Sequence, residues 1–262
     1  MKGRALMEIL EAWAPQSLAE SWDNPGLLVG DADREVKRVL VALDVRDSVI
    51  EEAILCRADW IITHHPMLFS PLKKITTDSP NGRRVLRLAQ AGISHYAMHT
   101  NLDTAFGGTN DTLAALANLQ EVSVLCPTCQ QDGQPNGLGR IGFLPEPMAL
   151  GEFADMLRQK VGLRHISIVG SREKQVRRVA LCTGSGMDFL EEAANQGADV
   201  YLSGDIRFHE AQKAQDLGVA LVDVTHYASE VLIVPVIARY LREKTALDVV
   251  ESHVDGQVFD VI

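Results

Sequence analysis

The chain has 262 residues, 46% of them hydrophobic and 23% charged, a length and composition that bury a core without disulfides and exclude a disordered chain or a mini-protein scaffold. Its 35 acidic and 25 basic residues give a formal charge of −10, a field that repels nucleic acid and acidic membrane surfaces. Four cysteines, Cys56, Cys126, Cys129 and Cys182, are too sparse for a secreted disulfide framework and fit a reducing compartment.

From the N-terminus, Lys2 and Arg4 are followed by Glu8 and Glu11, which interrupt any apolar stretch, so Met1 to Pro15 does not read as a signal peptide. The longest apolar run, Val231 to Ala238, is too short to span a bilayer and contains Pro235. The expectation is a soluble, cytoplasmic protein without membrane association. Short runs rich in Val, Ile and Leu alternate with amphipathic stretches, the pattern of parallel strands covered by helices, and the class is α/β. Strands are predicted at 38–45, 59–64 and 93–99, with a helix at 48–57. After a segment rich in Gly, Pro and Gln at 126–142, which reads as a linker, strands follow at 178–183, 199–203 and 219–226. Helices are expected around 187–195 and 208–216, then a final helix at 228–244 and a closing strand at 247–254. The expected lobes are therefore 1–125 and 143–262, with the final helix and strand free to pack back on the first.

Comparing the chain with itself supports two similar lobes. A shift of 140 residues lays Val36 to His65 on Val176 to Asp205 without a gap, matching Val36, Arg38, Val39, Glu51, Glu52, Ala53, Ala58 and Asp59 with their counterparts. About two matches would arise by chance at this length.

Open parallel sheets bind ligands beyond the carboxyl ends of their strands. The residues there are His64 and His65, His99 with Asp103 in HTNLD, and His226 followed by Glu230. A His and a Glu at i and i+4 share one helix face, and Pro66 disfavours helical continuation at His65. Any one such His serves more often as a structural hydrogen-bonding residue; it is the combination that points to metal. Three imidazoles and two carboxylates suit Zn, Fe, Mn or Ni, and five side chains suit two bridged ions better than one.

The motifs SWDNPGLLVGD (21–31), ITHHP (62–66), HTNLD (99–103), GGTND (107–111), CTGSG (182–186) and THYASE (225–230) together resemble the Nif3-like family, dinuclear-metal hexameric proteins often labelled GTP cyclohydrolase 1 type 2 homologues. The match covers nearly the whole chain in the family's order. It implies two α/β lobes with mostly parallel sheets, a metal cleft between them, a homohexamer, and two divalent ions (Zn, Fe or Mn) on His64, His65, Asp103, His226 and Glu230. Many relatives carry Gly before the last His and Thr before the Glu, where this chain has Thr225 and Ser229. Some carry an extra domain between the lobes, for which the short linker leaves no room.

Smaller expectations complete the reading. His99 is a candidate proton carrier or orienting partner. Asp23 and Asn24 line the cleft by resemblance, and Gly184 and Gly186 form either a tight turn or an anion cradle. Asp205 and His209 sit at the second half's counterpart of the metal loop, where Gly204 argues against a second site. Cys126 and Cys129 read as an exposed thiol pair, and His95, His165 and His253 as structural or surface residues. The function expected is a metal-dependent hydrolase acting through a metal-bridged hydroxide on a small molecule. The alternative is a non-catalytic hexameric scaffold or regulatory protein, with nucleic acid disfavoured by charge.

Overall fold

The computed structural model describes residues 1–131 and 133–260; Asp132, inside the expected linker, and Val261 and Ile262, at the end of the expected second lobe, lie outside the described residues. The chain forms two compact units, Met1–Leu102 with Ile233–Gly256, and Asp103–Leu232 with the residues from Gln257.

The first unit holds α1 (Gly3–Trp13), β1 (Gly26–Val29), β2 (Arg38–Ala42), α2 (Asp47–Leu55), β3 (Trp60–Thr63), α3 (Pro80–Ala91) and β4 (Ser94–Ala97). A short helix α4 (Thr100–Thr104) follows β4. The sheet runs β1, β4, β3, β2 and then a late strand, β11 (Asp248–Glu251), parallel throughout except for β1 at one edge. Every residue of β3 and β4 is buried, as expected of parallel strands covered on both faces. On one face α2 and α3 bury Val49, Ile50, Ala53 and Leu88 with Leu40 and Ile61. Each such aliphatic side chain stabilises the fold by roughly 1.5–3 kcal/mol. The helix α3 is bounded as its sequence dictates: Ser79 accepts from the Gly82 N–H, Pro80 occupies the first turn, and Gly92 closes it at φ 68°.

The final helix divides. Its first turns form α9 (His226–Glu230) in the second unit, and α10 (Ile233–Lys244) returns to the first with β11, which pairs with β2. Tyr240 of α10 donates to the Ile9 carbonyl at 2.9 Å and its ring lies 4.7 Å from that of Trp13.

The second unit contains α5 (Thr109–Leu116), β5 (Gln120–Gln131), β6 (Gln134–Ala149), α6 (Leu150–Lys160), β7 (Ser167–Val169), β8 (Gln175–Leu181), α7 (Leu190–Asn195), β9 (Val200–Ser203), α8 (Phe208–Asp216) and β10 (Ala220–Asp223). Its strand order is β5, β6, β8, β9, β10, β7. The stretch 126–142 is therefore not a linker. Its described residues belong to the long antiparallel strands β5 and β6, so this sheet mixes a parallel core with an antiparallel hairpin. The glycines that suggested a loop serve close approach: a Cβ at Gly137 would stand 2.1 Å from the Cys126 carbonyl oxygen across the hairpin.

The 140-residue correspondence recurs in hydrogen bonding. Asp59 takes the amides of Lys37 and Arg38 on one carboxylate oxygen, and Asp199 takes those of Arg177 and Arg178 in the same way. Arg57 stands at φ 57° where its counterpart is Gly197 at φ 74°. The order β1, β4, β3, β2 in one unit is matched by β7, β10, β9, β8 in the other.

Two buried polar groups give measurable consequences. Arg140 is 2% exposed and is held by both oxygens of Asp111, at 2.7 and 2.8 Å, and by the carbonyls of Gly137, Gly139 and Ala105. Asp111→Ala leaves that guanidinium charge buried without its counterion and is expected to cost about 3–5 kcal/mol in urea unfolding; Asp111→Leu with Arg140→Met recovers most of it. His95 is fully buried and bonded through Nε2 to Thr63 Oγ1 at 2.7 Å, and burial lowers its pKa from 6.5 to about 3. Between those values the unfolded chain binds a proton that the folded chain refuses, so stability falls as pH drops below 6.5. The slope is about 1.4 kcal/mol per unit. His95→Gln should flatten the pH dependence of the melting temperature between pH 6.5 and 5.

Candidate metal centre

In the first unit two adjacent strand ends supply imidazoles. Beyond β3 the His65 N–H donates to the Leu43 carbonyl at 3.0 Å, so the chain turns at His64 and His65 and does not continue as a strand. Beyond β4 comes His99. The three rings lie 5.0, 5.3 and 5.7 Å apart between centroids, and one ligand atom from each falls within 4.8 Å of the others. His64 is fully buried, and His65 and His99 are partly so.

Each ring is oriented through Nδ1. That of His64 donates to the Met98 carbonyl at 2.7 Å, that of His65 to Asp44 at 2.8 Å, and that of His99 to Asp23 at 2.7 Å. An Nδ1–H held by an acceptor fixes the tautomer in which Nε2 is the coordinating nitrogen. Burial opposes the charge on Asp23, yet bonds from His99 and Thr100, the charge of His99 and the Asn24 amide outweigh it and lower the carboxyl to about 2.

In the second unit the donors stand on α9. His226 Nε2 lies 3.0 Å from Glu230 Oε2, the i,i+4 pairing expected of one helix face, and His226 Nδ1 donates to Asp205 at 2.7 Å. Glu230 is buried, at 4% exposure. Asp103 is also buried and accepts from the Thr109 hydroxyl. Burial first, then the negative charges of Asp103 and Glu230, push the Cys182 thiol well above its usual range.

The predicted ligands thus divide: His64 and His65 belong to the first unit, and Asp103, His226 and Glu230 to the second. His99, read as a proton carrier, stands close enough to His64 and His65 to be a ligand itself. Asp44 escaped sequence reasoning, as did the orienting role of Asp205. Both lie 21 residues from the imidazole they hold, and no local motif links them.

Asp23 does lie at the site, through His99. Of the two readings of Gly184 and Gly186, the structure shows the tight turn: their amides are taken by the hydroxyls of Ser229 and Ser203, both at 3.0 Å. Gly184 stands at φ 64°, and a Cβ there would lie 2.2 Å from Glu230 Oε1. His209 is exposed and bonds Gln212, while Cys126 and Cys129 are unbridged thiols on β5.

The departure at Thr225 has a backbone counterpart. Thr225 sits at φ 59°, ψ 153°, a conformation suited to glycine, while its hydroxyl accepts from the Ala228 N–H and caps α9.

A two-sheet α/β protein with sets of imidazole and carboxylate donors at strand ends is the class these features define. The chain belongs to the DUF34/NIF3 family: the family model described as Duf34/NIF3 (NGG1p interacting factor 3) matches residues 1–257. It is 32% identical over 249 residues, 95% of this chain and 94% of the relative, to a Clostridium perfringens protein named GTP cyclohydrolase 1 type 2 homolog. Among solved structures it is similar to a Bacillus cereus protein related to NIF3, with TM-score 0.95, 27% identity and coverage of 100% of this chain and 99% of that one. The Staphylococcus aureus hypothetical protein SA1388 is similar with TM-score 0.92 and 32% identity, over 100% and 99% of the two chains.

Asp44→Asn and Asp205→Asn should each lower metal affinity about tenfold or more, read by competition with a chromophoric chelator. Thr225→Gly should raise stability by about 1–2 kcal/mol in thermal unfolding, because relief of the backbone exceeds the few tenths lost with the cap.

Proposed function

We propose that the protein is a metal-dependent hydrolase with a dinuclear centre, for which His64, His65, Asp103, His226 and Glu230 are the candidate ligands. The observation that carries this reading is the commitment of four imidazole Nδ1 atoms, on His64, His65, His99 and His226, to carboxylates or a carbonyl, which is how coordinating histidines are held. When bound, two ions sharing a water lower its pKa toward neutrality and supply a hydroxide nucleophile near pH 7. The residues themselves position donors and, at His99 and Asp23, hold a proton beside the site. The name carried by the Clostridium relative supports GTP as one substrate to test, with opening of its imidazole ring and release of formate as the reaction.

Elemental analysis of protein purified without chelator or metal-affinity tag should find about two divalent ions per chain, and fewer in His65→Ala. In a metal-matched screen covering GTP, cyclic amidines, amides and phosphoesters, Asp103→Ala should abolish any turnover seen in the wild type. Full activity in that variant would sink the mechanism, and loaded protein inert across the screen would favour the scaffold reading.

A further inference from the structure

We propose that a pocket in the first unit receives an aromatic ring of the ligand whose reactive group lies at the His64, His65 and His99 cluster; the proposal rests on the metal-centre reading above and adds the chemistry of the substrate. The pocket measures about 470 Å³ and is walled mainly by Leu28, Leu68, Phe69, Leu72 and Val85, with Asp23 and Asn24 as its main polar groups. That is the size and make-up of a small-molecule site: apolar walls with a few polar groups that fix orientation.

Two observations join it to the imidazole cluster. Asp23 is a residue of the pocket lining, and its fully buried carboxylate holds His99 Nδ1 at 2.7 Å behind that wall, so one residue links the two. Phe69 lines the pocket and also lies edge-on to His99, with centroids 6.4 Å apart. Trp22, outside the pocket lining, stands 5.7 Å from Phe69 and 6.2 Å from His99, a second aromatic ring packed against both.

The two loops that carry these rings are tied together by Asn24 Nδ2, which donates to the Leu68 carbonyl at 2.5 Å. Even so, Trp22 is 57% and Phe69 50% exposed. Large aromatic side chains held in place yet left open to solvent beside a donor cluster provide faces and edges for a further ring, and aromatic pairs gain stabilisation beyond the area they bury. With no Lys or Arg in the pocket lining, the group that enters is an uncharged ring and not a phosphate.

The test uses the full chain loaded with zinc and two probes that share a metal-binding group and differ in the ring, acetohydroxamate and 2-naphthohydroxamate. Calorimetry should give the naphthyl compound an affinity about tenfold or more higher. Phe69→Ala should collapse the difference between the probes, and Phe69→Tyr should restore it. Equal affinities in the wild type, or a difference that survives Phe69→Ala, would overturn the assignment.

Titration of metal-free protein with 2-naphthalenemethanol, which cannot chelate, separates this proposal from the metal reading. Saturable binding weakened by Phe69→Ala supports the ring site even where neither hydroxamate binds, a result that counts against the metal centre alone. Absence of that binding together with failure of both hydroxamates overturns the ring site.

Discussion

An imidazole offers one nitrogen to an ion in a fixed direction only when its other nitrogen is tied down, and the candidate centre is organised around that requirement. His65 leans on Asp44, His99 on Asp23, His226 on Asp205 and His64 on the Met98 carbonyl. Because three of the four acceptors are carboxylates, each tie also adds negative charge behind the ring and raises its basicity. The surrounding architecture supplies rigid places from which these ties can be made. Asp44 and Asp205 follow sheet strands at 2.8 and 2.7 Å from their imidazoles, and the Met98 carbonyl directly follows β4.

The two units reach this arrangement with a shared grammar. In each, an aspartate at the start of a central strand gathers two amides from the neighbouring strand, setting the register on which the strand end depends. The units diverge at the far end of that strand. In the first unit the strand ends carry adjacent histidines, and in the second His65's counterpart is Asp205, which holds the His226 ring. The corresponding position carries an imidazole in one half and, in the other, a carboxylate that holds one.

Much of this was legible in the sequence, and the reasons are specific. Six central strands were predicted within a few residues because doubly covered parallel strands are written as unbroken aliphatic runs, WIIT being the clearest. The five candidate ligands stood out because they follow those runs or stand one helical turn apart. The hairpin β5–β6 was hidden: its glycines and prolines mimic a linker, and strand pairing depends on a partner many residues away. The edge strands β1 and β7 were missed because, antiparallel and only partly buried at the sheet edges, they lack the unbroken aliphatic run of the covered strands. Asp44 was invisible because a hydrogen bond to a side chain 21 residues distant leaves no periodic trace. The split of the final helix into α9 and α10 was equally silent, since its apolar face continues while the chain passes from one unit to the other.

That return has a consequence for biosynthesis. The partner of β2 at one edge of the first sheet is β11, and the ion pair between Arg38 and Asp248 closes across 210 residues of sequence. During translation the first unit therefore waits with an unpaired strand edge and the uncovered surface that α10 will bury, while the second sheet, all of whose strands lie between Gln120 and Asp223, can be completed as it emerges. The order of maturation is the reverse of the order of synthesis. The first sheet keeps that edge open until residues 248–251 are made, the interval in which edge-to-edge association has a template.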